Sequence, residues 1–182
     1  MSGALRVLGI DPGSRCTGYG IVEVQGTQLG YIASGCIRLD GDCELWRRLQ
    51  AIFTGVTAVI ERYRPQVMAV EQAFLSRNVQ STVKLAEARA AAMVAAGSCG
   101  LEVSEYSARQ IKQAVVGYGA ATKEQVQYMI RQSLQVSGRL QADAADALAC
   151  AICHACTARM TAAVSTAALT ASVRGRFRER PR

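Results

Sequence analysis

The sequence predicts an α/β fold: a mixed five-stranded sheet flanked by helices on both faces. Three observations lead there. The first forty residues read as strands joined by tight turns. Apolar residues then recur at helical spacing. A short apolar run at 67–70 and a short strand at 101–104 interrupt the helical segments. Strands first and βαβ alternation afterwards make some pairings antiparallel and others parallel.

Residues 5–10, Leu-Arg-Val-Leu-Gly-Ile, form a strand of buried type that stops at the turn Asp11-Pro12-Gly13. Residues 17–24 and 29–37 continue as a meander around Gly26. Leu45, Leu49, Ile52, Phe53, Val56 and Ile60 then line one side of a helix that Pro65 closes. Val-Met-Ala-Val before Glu71 is a short strand, followed by an Ala-rich helix over about 79–96 that stops at Gly97. A last short strand covers 101–104. Ser107 with Gln110 and Thr122 with Gln125 fit capping boxes, and Gly117 ends the first of these two helices. A final helix is expected over about 141–158, which lacks Gly and Pro. The expected organisation is one domain over 1–158 and a flexible Ala/Thr-rich and Arg-rich tail over 159–182.

Composition narrows the function classes. With 182 residues, 50% hydrophobic and 19% charged, the chain has material for one core and is not disordered throughout. No uncharged stretch approaches the ~20 apolar residues of a membrane span. Arg6 and Asp11 fall where a signal peptide needs an apolar run, so a cytoplasmic protein is expected. The formal charge is +7, and the alternating Arg residues from 174 to 182 carry much of it. Such a tail serves either as a phosphate tether or as a solubilising end. The seven cysteines sit mostly among apolar neighbours, as reduced thiols do. Cys150-Ala-Ile-Cys153-His154 matches a haem attachment pattern, but it lies in a helical stretch of a chain without an export signal. Packing is the reading adopted for this cluster, with zinc at Cys150, Cys153 and Cys156 as the alternative.

Only five Asp occur, and three of them, with one Glu, sit where folding does not require them. Asp11 and Glu71 terminate strands, the position where α/β sheets present groups to ligands. Asp143 and Asp146 are three residues apart on one helix face, among Ala142, Ala144, Ala145 and Ala147. Small neighbours let that helix approach the sheet closely. Each acid alone has a structural explanation: a turn cap for Asp11, a helix-dipole partner for Asp143, a solvated charge for Asp146. Together they are costly unless a cation neutralises them. Oxygen donors of high charge suit Mg²⁺ or Mn²⁺, and two such ions suit attack of water on a phosphodiester.

Gly9-Ile10-Asp11-Pro12-Gly13-Ser14-Arg15, Thr17-Gly18-Tyr19-Gly20, Glu71-Gln72 and Gln141-Ala142-Asp143-Ala144-Ala145-Asp146-Ala147-Leu148 resemble the RuvC-type Holliday junction resolvases. Ala108 to Gln113 and Val115-Val116-Gly117 agree as well, so the resemblance spans about 5–157. It implies an RNase H-like fold, a homodimer, Mg²⁺-dependent nicking of four-way DNA junctions and docking with the RuvA and RuvB branch-migration proteins. It also implies that Asp11, Glu71, Asp143 and Asp146 are catalytic and hold the metal. Lys112 and Lys123 match the family's basic residues beside the active site. Phe74, in the loop after Glu71, matches a DNA-contacting position, where an apolar side chain can wedge between bases. Arg77 and Arg89 are candidate phosphate contacts. The Ala/Thr-rich and Arg-rich C-terminus beyond about 158 departs from the motifs that carry the resemblance, so its role stays open.

Three other readings compete. An ATP-binding domain of the actin and sugar-kinase type also opens with an Asp and glycines, but needs two such domains. Another RNase H-like nuclease, a ribonuclease or a YqgF-type protein, lacks the combination of Asp143 and Asp146 with the Glu71-Gln72-Ala73-Phe74 loop. A non-catalytic junction-binding module has no need of four intact carboxylates. A junction nicked on two strands of like polarity calls for two active sites related by a two-fold axis. The helix over 79–96, with Val83, Ala86, Ala90, Met93 and Val94 at helical spacing, is the expected dimer interface.

Overall fold

The computed structural model describes residues 4–72, 78–138 and 140–175, with side chains to Thr161. Three antiparallel strands come first: β1 (Leu5–Asp11), β2 (Cys16–Gln25) and β3 (Gln28–Arg38). Helix α1 (Leu45–Tyr63) leads to β4 (Val67–Glu71), and α2 (Val79–Ser98) to β5 (Glu102–Tyr106). Three helices close the chain: α3 (Ala108–Val116), α4 (Lys123–Leu134) and α5 (Ala142–Gly175). The sheet order is β3-β2-β1-β4-β5, with β4 parallel to both β1 and β5. The mixed five-stranded sheet with helices on both faces is therefore the observed architecture.

The faces divide by residue size. On one, Leu8, Ile10, Ile21, Met68 and Val70 project into a core closed by α1 and α2. Large aliphatic side chains hold those helices at ordinary packing distance. On the other face, Val7, Val22, Val67 and Ala69 meet α3, α4 and α5. Here the strands carry glycine where the helix crosses. Gly9 pairs with Gly20, and Asp11 with Gly18. A Cβ on Gly9 would run into the carbonyl oxygen of Ala147, and one on Gly18 into that of Asp143. Helix α5 thus lies backbone against backbone on β1 and β2, with Ala144, Ala145, Ala147 and Ala151 buried along it.

Both expected capping boxes form: Ser107 accepts from the Gln110 N–H and Thr122 from the Gln125 N–H, each Gln returning a bond. Gly117 ends α3 at φ 94°, in the left-handed region. Helix α5 is longer than the sequence reading, continuing past 158 to Gly175. Ala, Thr and Ser offer no stop signal over that stretch. The Arg-rich residues 176–182 lie outside the described residues.

Replacing Gly9 by Ala is expected to cost about 1–3 kcal/mol, the range for overpacking, because the obstacle is helix backbone and cannot rotate away. Gly97→Ala, in helical backbone with open space around it, should instead add about 0.5–1 kcal/mol. Urea unfolding of the two variants checks the contrast. Equal effects would deny the close contact.

Candidate active site

The close contact brings four carboxylates to one place. Asp11 ends β1 and Glu71 ends β4, two parallel neighbours, both on the α5 side of the sheet. Asp143 lies in the first turn of α5, one turn before Asp146. The positive end of the α5 dipole therefore faces the cluster. The acids perturb one another. Burial pushes the Asp11 carboxyl up to about 7, reinforced by Asp146, Asp143 and Glu71 and opposed by Lys123. Glu71 is also raised, by burial and then Asp146, against the pull of Lys112 and Lys123. Negative charge in this cluster is under-compensated by the chain itself.

Lys123 supplies part of the compensation. Capped by Thr122 at the start of α4, it places Nζ 2.7 Å from Asp146 Oδ2. The bond to the Asp146 carboxylate holds the Lys123 ammonium above its ordinary range. Lys112, on α3, lines a depression of about 230 Å³ together with Glu71, Lys123 and Asp146. A second depression, about 320 Å³, opens across Asp11, Pro12, Gln72 and Arg89, with Glu71 shared between the two. Asp11, Glu71 and Asp146 thus line these two clefts, with Asp143 just beyond their walls. A further depression of about 770 Å³ lies between α3 and α5 and has no carboxylate in its lining.

Arg89, a candidate phosphate contact, is engaged within the protein. Its Nε donates to the Glu71 carbonyl oxygen at 3.2 Å and its guanidinium pairs with Glu105. It braces the end of β4 and so positions Glu71. Phe74 and Arg77 lie outside the described residues. Cys150 and Cys153 are buried in the apolar core, and His154 Nδ1 shares a 2.9 Å hydrogen bond with the Tyr106 hydroxyl. Burial holds the Cys153 thiol up at about 11. Sequence reasoning missed two neighbours of the site: Cys16 and Cys36 stand beside Asp143.

An open mixed sheet carrying acids at the ends of two parallel strands, faced by two more on the crossing helix, defines a nuclease of the RNase H-like class. Comparison with known proteins narrows the class. The model of the family crossover junction endodeoxyribonuclease RuvC matches residues 7–154. The RuvC of Psychromonas ingrahamii is 56% identical over 172 residues, covering 94% of this chain and 98% of that one. The RuvC of Geobacter sulfurreducens is 57% identical over 156 residues, covering 86% and 95%. Thermus thermophilus RuvC, solved in complex with a Holliday junction substrate, aligns at a TM-score of 0.82 with 35% identity, over 86% of this chain and 96% of that one. The yeast mitochondrial Holliday junction resolvase shares the fold, at a TM-score of 0.61 and 13% identity, over 84% and 79%. The chain belongs to the RuvC family of crossover junction endodeoxyribonucleases.

The acid cluster has a consequence for stability. Asp11 binds its proton more tightly in the folded chain than at its ordinary value of 3.8, so its ionisation opposes folding. That cost is absent below the ordinary value, grows up to about pH 7 and is full above it. Without divalent cations, Asp11→Asn should therefore raise the melting temperature at pH 8, by about 2–4 °C per kcal/mol relieved. The gain should fade toward pH 4. Thermal melts with a chelator present check it; a gain that persists unchanged at pH 4 would contradict the assignment.

Proposed function

We propose that the chain is a Mg²⁺-dependent endonuclease that resolves four-way DNA junctions by paired, symmetric nicks in recombination and repair. The observation that carries this reading is the gathering of Glu71, Asp143 and Asp146 around Asp11, with charge the chain does not neutralise. The donor set fits hard cations: all carboxylate oxygen, highly charged and partly open to solvent. Asp11, Glu71, Asp143 and Asp146 would hold two Mg²⁺ ions, with Mn²⁺ able to substitute, and these would supply water activation and charge neutralisation at the phosphodiester.

The chain's residues do the rest. Asp11 and Glu71 are fixed by the sheet, Glu71 additionally through the Arg89 brace. Asp143 and Asp146 are fixed by the buried α5 contact. Lys123 orients Asp146, and Lys112 and Lys123 present point cations toward a phosphate in the adjoining cleft. Phe74 and Arg77, which follow Glu71 in the sequence, contact the DNA. Residues 1–158 form the nuclease domain, and 159–182 an appendage whose arginines suit phosphate contact. No described helix is long and apolar enough to cross a membrane. The location we assign is the cytoplasm. RuvA and RuvB are the partners the family membership implies.

The working unit we assign is a homodimer through α2. Ala88, Ala92, Ala95 and Ala96 bury the inner side of that helix. Val83, Ala86, Ala90 and Val94 are exposed on another face, and Met93 is half-buried between them and the core. An exposed apolar stripe of small side chains suits close packing with its own copy.

Asp143→Asn should abolish Mg²⁺-dependent nicking of a four-way junction while junction binding stays equal or tightens, since negative charge near DNA is removed. Cleavage assays on junction, duplex and RNA/DNA hybrid substrates, with gel-shift binding in parallel, test this. Near wild-type cleavage by the variant would sink the reading.

A mixed dimer of wild-type and Asp143→Asn chains should nick one strand and rarely complete resolution. Paired nicks from a species that sediments as a monomer would remove the dimer from the mechanism.

A further inference from the structure

Cys16 opens β2 and Cys36 lies near the end of β3. Cys16 pairs with Arg38, and Gly18 pairs with Cys36, so the two cysteines sit diagonally on one face of the sheet. That face is the one α5 covers, because Gly18 meets the Asp143 carbonyl. The placement depends on a bulge. Counted from the turn, where Gln25 pairs with Gln28, an unbroken ladder would set Cys36 against Thr17, facing α1 and α2. The register shift between Ile21 and Val22 turns Cys36 to the Asp143 side.

The two sulfurs and an Asp143 carboxylate oxygen lie within 4.8 Å of one another, all three residues half-buried. Among the described residues, no other three His, Cys, Asp or Glu side chains bring donor atoms so close. The cysteines on α5 do not compete: Cys150 and Cys153 point into the apolar core.

We propose that Cys16, Cys36 and Asp143 form a site for a thiophilic divalent cation of the zinc class. Two sulfur donors and one oxygen distinguish it from the all-oxygen cluster beside it. Bond lengths of about 2.3 Å to sulfur and 2.0–2.2 Å to oxygen require the donors to close in by roughly half an ångström, within side-chain torsional reach. Water fills the fourth position from a depression of about 380 Å³ lined by Cys36, Arg38 and Gln141. Binding releases both thiol protons to solvent. Two thiolates and a carboxylate leave one negative charge on a divalent complex, and Arg38 stands opposite Cys16 to offset it.

The site shares Asp143 with the four-carboxylate cluster. A cation held by sulfur draws Asp143 away, so occupancy inhibits nicking. This consequence rests on the catalytic reading of Asp143; the binding itself does not.

The test has two arms on the reduced, full-length protein. In the first, Co²⁺ alone is titrated as the spectroscopic probe for a zinc-class ion. A thiolate-to-cobalt charge-transfer band saturating at one equivalent is expected, lost in Cys36→Ser and kept in Cys153→Ser. Absence of the band, or its loss only in Cys153→Ser, overturns the site. In the second, Zn²⁺ is added to Mg²⁺-supported junction nicking. Wild type should lose at least about tenfold in rate, reversed by a zinc-selective chelator, while Cys36→Ser stays within about twofold. Equal inhibition of both proteins overturns the shared-ligand inference. A wild type inactive with Mg²⁺ alone, yet showing the cobalt band, would instead count against the nuclease reading and leave the sulfur site supported.

Discussion

The contact between the backbone of α5 and the glycines of β1 and β2 governs the rest of this molecule. Helices ordinarily stand about 10 Å from a sheet, held off by side chains on both partners. Here Gly9, Gly18 and Gly20 remove the side chains from the sheet, and alanines remove them from the helix. Short acidic side chains at the helix start can then reach the same point as short acidic side chains at strand ends. A normally spaced helix would leave Asp143 and Asp146 stranded above the sheet. The catalytic geometry we assign is thus a consequence of packing before it is one of chemistry.

Packing of this kind sets an electrostatic problem. Four acids share a partly buried cluster, and Lys123 forms the one direct ion pair to them among the described residues. Repulsion and desolvation appear together in the raised Asp11 and Glu71 carboxyls. Burial on both faces offsets this: Leu8, Ile10, Ile21, Met68 and Val70 pack against α1 and α2, and Val7, Val22, Val67 and Ala69 against α3, α4 and α5. Strand β1 serves core and site at once: Ile10 points into one core while Asp11, the next residue, points to the site. Strand alternation makes that possible with adjacent residues.

Much of this was legible in the sequence. Asp11 and Glu71 stand out because each follows an apolar strand run, and Asp143 and Asp146 because they share a helix face lined by alanine. The capping boxes read correctly because they are local, four-residue patterns. Arg89 was less legible. A helical arginine near the site reads as a phosphate contact, and only the tertiary fold reveals the Glu71 carbonyl and Glu105 as its partners. The length of α5 also escaped, since an Ala/Thr/Ser run looks the same as tail or as helix without a stop signal.

The cysteine pair beside Asp143 was invisible for a sharper reason. Spacing around a hairpin predicts which residues face which way only if the ladder is unbroken, and one extra residue reverses every position beyond it. The bulge between Ile21 and Val22 carries no marking glycine; Ile32, the residue left out of the pairing, is an ordinary strand former. Yet the same shift that turns Cys36 toward Asp143 also turns Ala33 and Ile37 toward the α1 face, where both pack against the core. The bulge is therefore favoured by burial on one face, whatever it brings to the other. A residue placed beside an active site by such a constraint is free to acquire chemistry there, and two thiols next to a carboxylate have chemistry that the acid cluster alone does not.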